Sequence, residues 1–130
     1  MADHGLKLYG NAVIVNTDYA KNNSDMVKKF LVAIGAGWRD AIKDPKAAAA
    51  ALVKRNPAAD AALEQRRLQL AIDANVLTDY VKANGMGGVD SSRFAAAIEQ
   101  LSETYEYKAA PNAALYFTDE YLPANGISLN

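Results

Sequence analysis

The sequence contains no cysteine and only one histidine, His4, among its 130 residues. Disulfide bonds and thiolate metal sites are therefore excluded, and one histidine cannot supply the cluster of nitrogen ligands that zinc sites use. A nucleophile, a general base and an orienting group cannot be assembled either, because His4 stands alone near the start of the chain. We expect no catalytic residues, no metal site and no cofactor, and we predict that the chain is not an enzyme.

Long apolar runs and an excess of charge are also missing. No run approaches the roughly 18 apolar residues of a transmembrane helix, and residues 1–10 lack the apolar core of a signal peptide. Fourteen basic and fifteen acidic side chains leave a formal charge of -1, which offers no electrostatic surface to nucleic acid. We expect a globular protein that binds no nucleic acid and that, expressed as this sequence stands, stays in the cytoplasm.

What the sequence does contain is helical periodicity and one β-rich segment. Residues 6–15 are rich in β-branched residues without helical spacing and are predicted to form one buried strand. Apolar residues then recur at three- and four-residue steps from Val27 to Ile42, which predicts a long amphipathic helix. The predicted fold class is α/β but predominantly helical, with one main N-terminal strand followed by four to five helices in a single domain, residues 1–130.

Capping residues divide the remainder of the chain into further helices. Asp44 before Pro45 predicts the start of one helix, and Asn56 before Pro57 predicts the start of another, which continues to Val76. Gly85 fits the left-handed position that closes a helix, and Asp90 is placed to cap the last long helix.

Three side chains admit both a ligand-binding and a structural interpretation, and two glycines of the same region predict close packing. Trp38 could stack on a planar ligand, but its register with the apolar helix positions favours core packing. Arg66 and Arg67 could hold an anion, although adjacent residues on a helix diverge by about 100 degrees, which favours separate surface roles. Gly35 and Gly37 each weaken the long helix by about 1 kcal/mol relative to alanine, so close packing of another element is expected at both glycines.

The candidate ligand site is the tripeptide Tyr9, Gly10 and Asn11. An aromatic ring, a glycine and an amide at the head of a buried strand can face a cleft where backbone and ligand approach closely. The alternative is a turn that leads into the strand and satisfies its own polar groups. We predict these three as ligand-binding residues.

Several short motifs follow one another in an order that resembles a known family. The motifs are residues 5–15, Asp18–Tyr19, the helix from Ser24, Asp44–Ala48, Lys54–Pro57, Asn84–Asp90 and Phe117–Pro123. In this order they are similar to the C-terminal part of the substrate-binding proteins of ABC importers that capture nitrate, aliphatic sulfonates or thiamine-pyrimidine precursors. The resemblance extends over nearly the whole chain.

The resemblance implies a type II periplasmic binding fold, in which two α/β lobes close on a small molecule and present it to a membrane permease. The chain then corresponds to the C-terminal third of such a protein. It contributes one wall of the ligand cleft and a permease-facing helical surface, and its location is the periplasm. The related eukaryotic pyrimidine-precursor synthases use cysteine and histidine positions outside this region, so their activity does not carry over.

A lone buried strand has a further consequence for association. Its backbone donors and acceptors each cost about 1–3 kcal/mol if they stay dry and without partners. We therefore expect a homo-oligomer in which the strand Leu8–Val15 pairs with the same strand of a second copy, or in which elements are swapped. The alternative function is a helical interaction or structural protein, a truncated gene product that self-associates and binds no small ligand.

Overall fold

The computed structural model describes residues 9–129, and these residues are mostly helical. The helices are α1 (Thr17–Asn22), α2 (Ser24–Lys43), α3 (Pro45–Arg55), α4 (Ala61–Ala71), α5 (Asp79–Asn84) and α6 (Ser91–Thr104). A π-helical turn, Ile72–Val76, continues α4, and a 3-10 turn, Ala113–Leu115, follows α6. The prediction of a predominantly helical chain is confirmed. None of the helices in this part of the chain is long and apolar enough to span a membrane.

The predicted N-terminal strand is not formed over residues 9–15. These residues have no regular secondary structure, and residues 6–8 lie outside the described part of the chain. A strand needs a neighbour to complete its backbone hydrogen bonds, and the described residues contain one β pairing, an isolated antiparallel bridge between Met86 and Ile127. Without such a neighbour the β-branched composition does not suffice, and Ile14 is left 93% exposed.

Side-chain caps set the starts of α3 and α4. The Asp44 carboxylate accepts a hydrogen bond from the Ala47 backbone N–H at 2.9 Å, as the Asp–Pro pair predicts, and Asp60 plays the same role for α4. The predicted start at Asn56–Pro57 is wrong. The Asn56 N–H still donates to the Leu52 carbonyl, so Asn56 closes α3 and the new helix begins only after a turn.

The three helices α2, α3 and α4 form one layer, because α3 packs against both of its neighbours. The π-helical turn that extends α4 supplies the least exposed residue in the described core, Ile72 at 2%. The predicted helix through to Val76 is therefore present, but its last turn is widened so that the Leu77 N–H donates to the Ile72 carbonyl.

The core of the described chain is small. Its buried residues are three alanines and four β-branched side chains: Ala20, Val27, Ala49, Ile72, Val76, Ala97 and Ile127. The chain exposes 9953 Å², about half as much again as the roughly 6,700 Å² expected of a compact monomer of this mass. Large apolar side chains such as Met26 and Phe30 on α2 are more than half exposed. Apolar surface that a self-sufficient domain would bury is therefore accessible.

The C-terminal segment, residues 121–129, packs back onto α2. Ile127 is buried, and its side chain fills the space where a Cβ on Gly35 would stand. The Arg39 guanidinium donates a hydrogen bond of 2.8 Å to the Ser128 carbonyl beside this contact. The expectation that another element packs closely on α2 is confirmed at Gly35, where a larger residue would displace Ile127. The same expectation is wrong at Gly37, because a Cβ built there would have nothing within 4 Å.

Two glycines let the C-terminal segment meet the end of α5. Gly85 closes α5 as predicted, with φ of 76°, and donates its N–H to the Val81 carbonyl at 2.8 Å. Gly126 has φ of 65°. Their backbones lie so close that a Cβ on either would run into the backbone of the other segment.

Candidate functional site

Tyr9, the first predicted ligand-binding residue, lies against the start of α6. Its hydroxyl accepts a hydrogen bond from the Asp90 backbone N–H at 2.8 Å. Its ring meets the edge of Phe94 at a centroid distance of 6.1 Å, and the Arg93 guanidinium carbon lies 4.3 Å from the Tyr9 ring centroid. The hydrogen bond, the aromatic contact and the cation–π contact together hold this half-buried side chain in one place.

Gly10 and Asn11 do not share this environment. Both are exposed, and a Cβ built on Gly10 would have nothing within 4 Å. The three predicted residues are consecutive, but the structure directs Tyr9 to α6 and leaves Gly10 and Asn11 at the surface. Their role in ligand binding stays a prediction.

The polar groups around Tyr9 have perturbed acidities with identifiable causes. Burial, together with the nearby Tyr9 hydroxyl and the carboxylates of Asp90 and Asp119, raises the pKa of Tyr80. Hydrogen bonds from the Ser92 hydroxyl and the Arg93 backbone N–H lower the pKa of Asp90. Both shifts move the pKa further from neutral pH, so they reinforce the protonated tyrosine and the ionised aspartate that are ordinary there. Asp90 therefore acts as the N-cap of α6, and the Tyr9 ring packs beside it. These contacts hold the segment that precedes α1 against α6.

A groove of about 510 Å³ lies between α2, α3 and α4. Its lining residues are mostly apolar: Ile34, Gly37, Trp38, Ala41, Ala48, Ala49, Leu52, Glu64, Arg67, Leu68 and Ala71. Four alanines and one glycine keep the walls thin and leave the space open. The volume falls within the roughly 300–1,000 Å³ that small-molecule sites occupy.

Trp38 and Arg67, two residues with alternative interpretations in the sequence, both line this groove. Trp38 is half-buried, so the prediction of core packing holds for only part of its surface. Arg67 pairs with Glu64 at 2.7 Å, and their side chains are 65% and 20% exposed. Arg66 is exposed and is not among the lining residues, as expected of neighbours that diverge on a helix.

The sequence patterns did not predict the groove itself. Asp44 and Pro45 predict only that a helix starts there, whereas the structure places Ala48 and Ala49 of this helix in the groove lining together with Trp38. Such a space depends on the distance between helices, which no local pattern encodes.

Among residues 9–129, no group of three or more His, Cys, Asp or Glu side chains is arranged so that it could hold a metal ion.

Comparison with protein families gives a match to the first third of the chain. A family described as NMT1/THI5 like matches residues 1–48, a range that contains Tyr9, Gly10 and Asn11 and includes α1 and α2. Motifs beyond residue 48, such as Asn84–Asp90, lie outside the matched range. No curated protein and no solved structure matches the chain.

Proposed function

We propose that this chain is part of the solute-binding component of an ABC importer, of the kind that captures nitrate, aliphatic sulfonates or thiamine-pyrimidine precursors. It acts as a single domain, the C-terminal third of a two-lobe protein. It contributes one wall of the ligand cleft and presents a helical surface to the permease, in the periplasm and without catalysis. The observation that carries this proposal is the match of residues 1–48 to the NMT1/THI5-like family.

The placement of the tripeptide supports the proposal. Tyr9 is anchored on α6, so the exposed Gly10 and Asn11 follow directly from a fixed point. Gly10 allows a ligand to approach the backbone closely, and the Asn11 amide supplies both a donor and an acceptor. Anchoring reduces the entropy lost when such groups bind a ligand.

The exposed apolar surface also supports the proposal. In a clamshell protein the polar groups and aromatics that hold the ligand come from both walls, which exclude water between them. A second lobe would cover apolar side chains that are accessible here, including Val13, Ile14 and Val15. The small core is then a property of one part of a larger assembly.

A ligand panel tests this function. We expect one class among nitrate, taurine, longer alkanesulfonates and aminopyrimidines to raise the melting temperature of the chain. At a ligand concentration about ten times the Kd, binding stabilises the folded state by about 1.4 kcal/mol, which corresponds to several degrees for a domain of this size. Differential scanning fluorimetry measures the shift.

The matched variants are Asn11→Ala and Asn75→Ala, two exposed asparagines of which only the first belongs to the predicted site. The shift should disappear in Asn11→Ala and persist in Asn75→Ala. A flat response of the folded wild-type chain across the whole panel would count against ligand binding by this wall.

A second candidate function is a helical interaction protein that self-associates, and Ile14 is the observation that favours it. At 93% exposure, this side chain removes its apolar surface from water only by contact with another molecule or segment. If copies pair through Leu8–Val15, as the strand-pairing prediction has it, the chain is a dimer. We expect multi-angle light scattering at tens of micromolar to give the mass of that dimer. Ile14→Lys should yield a monomer, whereas Leu70→Lys on α4 should not. A monomeric wild-type chain would remove this candidate.

A further inference from the structure

We propose that the groove between α2, α3 and α4 is a second binding site, which takes a small planar aromatic molecule bearing a negative charge. This site does not involve Tyr9, Gly10 or Asn11, and it does not depend on the proposed transport function. The observation that carries it is the presence of both Trp38 and Arg67 in the lining of one mostly apolar space of about 510 Å³.

The walls of the groove suit an aromatic ring. Trp38 contributes an indole to the lining, and Ile34, Leu52 and Leu68 supply apolar side chains beside it. Offset stacking of two rings adds about 0.5–1.5 kcal/mol to the gain from burial of apolar area. Alanines at 41, 48, 49 and 71 leave room for a ring that larger side chains would fill.

Charge selects an anion over a cation. The Arg67–Glu64 bond uses one of the five guanidinium N–H groups, and Arg67 is the more exposed partner, at 65% against 20% for Glu64. The surrounding helices reinforce this preference. Residues 24–71 carry nine basic and five acidic side chains, a formal charge of +4, although the whole chain carries -1. Within the lining itself Arg67 and Glu64 balance each other, so a carboxylate or sulfonate on the ligand would be attracted by the guanidinium N–H groups that Glu64 leaves unused and, at longer range, by the net positive charge of the three helices.

Trp38 makes the proposal directly testable, because it is the single tryptophan of the chain. Its indole N–H gives one resolved signal in a 1H–15N correlation spectrum. We expect indole-3-acetate to shift this signal in a saturable manner. Tryptamine, which has the same ring and a positive charge, should bind about tenfold more weakly, the equivalent of 1.4 kcal/mol. Acetate, which lacks the ring, should not move the signal.

Two substitutions of Gly37 distinguish a side chain that blocks the groove from one that only stabilises the helix. Gly37 lines the groove, and a Cβ built there meets nothing within 4 Å. Both Gly37→Ala and Gly37→Leu raise helix propensity by about 1 kcal/mol, so neither should unfold α2. Gly37→Leu projects into the groove and should weaken indole-3-acetate binding about tenfold, whereas Gly37→Ala should retain it.

Arg67→Gln tests the charge component. The variant should lose most of the tenfold preference for indole-3-acetate over tryptamine, because the ring contacts remain and the nearest cationic group is gone. Three results would each overturn the proposal: no movement of the Trp38 signal in the folded wild-type chain, equal binding by Gly37→Leu and Gly37→Ala, or unchanged preference for the anion in Arg67→Gln.

Discussion

Replacing Ile72 with alanine is expected to abolish cooperative unfolding of the chain or to lower its stability by about 2–5 kcal/mol. Ile72 is 2% exposed and is the deepest side chain of the described core, whose other buried side chains are no larger than isoleucine. Domains commonly have only about 5–15 kcal/mol of total stability, so a core this small has little reserve. Urea titration followed by far-ultraviolet circular dichroism measures the change.

Leu70→Ala is the matched control for this prediction. Leu70 lies two residues before Ile72 on the same continuous helix but is 69% exposed. Its removal should change the free energy of unfolding by less than about 0.5 kcal/mol, as for most surface substitutions. Equal costs for Ile72→Ala and Leu70→Ala would mean that the packing around the π-helical turn is not the stabilising core.

The second large effect concerns the contact between Gly35 and Ile127. Gly35→Val should cost about 1–3 kcal/mol because the new side chain competes for the space that Ile127 fills. Ile127→Ala alone should cost about 2–5 kcal/mol through the cavity it leaves. The double variant should cost less than the sum of the two, by about 0.5–3 kcal/mol, since the valine then occupies part of the vacated space.

Gly37→Val provides the control on the same helix. Because a Cβ on Gly37 meets nothing within 4 Å, this variant should have nearly wild-type stability in the same urea titration. Strict additivity of Gly35→Val and Ile127→Ala would be inconsistent with a direct contact between these residues in solution.

Local chemistry made most of the helices predictable from the sequence. The apolar period from Val27 to Ile42 falls within α2, and Asp44 caps α3 through its own carboxylate. Gly85 closes α5 and Asp90 caps α6. In each case the residue that sets the boundary lies within four positions of its hydrogen-bond partner, so a short window of sequence contains the whole interaction.

The predictions that the structure corrects are of two kinds. Some depend on contacts with residues that are distant in sequence, and others depend on whether a capping residue starts one helix or ends another. The segment 9–15 has strand composition, but within the described chain it finds no strand to pair with. Asn56 could start one helix or end another, and the hydrogen bond to Leu52 decides for the end. Composition states a preference, whereas tertiary packing and hydrogen bonding determine the outcome.

The candidate site was predictable only in part, for the same reason. The tripeptide 9–11 is visible as a motif, but the contact that positions Tyr9 joins it to Asp90, which lies 81 residues away. The groove likewise requires the spacing of three helices. Gly35 and Gly37 illustrate the same limit, because both carry the same cost in helix propensity, but only Gly35 receives another element, Ile127, while a Cβ on Gly37 would meet nothing within 4 Å.

The most direct test of the central claim, that residues 9–11 form one wall of a solute cleft, follows their backbone amide signals during titration with the ligand panel. We predict that one ligand class shifts the Gly10 and Asn11 signals saturably in the wild-type chain, and that Asn11→Ala loses the response at Gly10. The amide of Gly88 should stay in place. Static Gly10 and Asn11 signals with every ligand, or shifts confined to Trp38, would contradict the account.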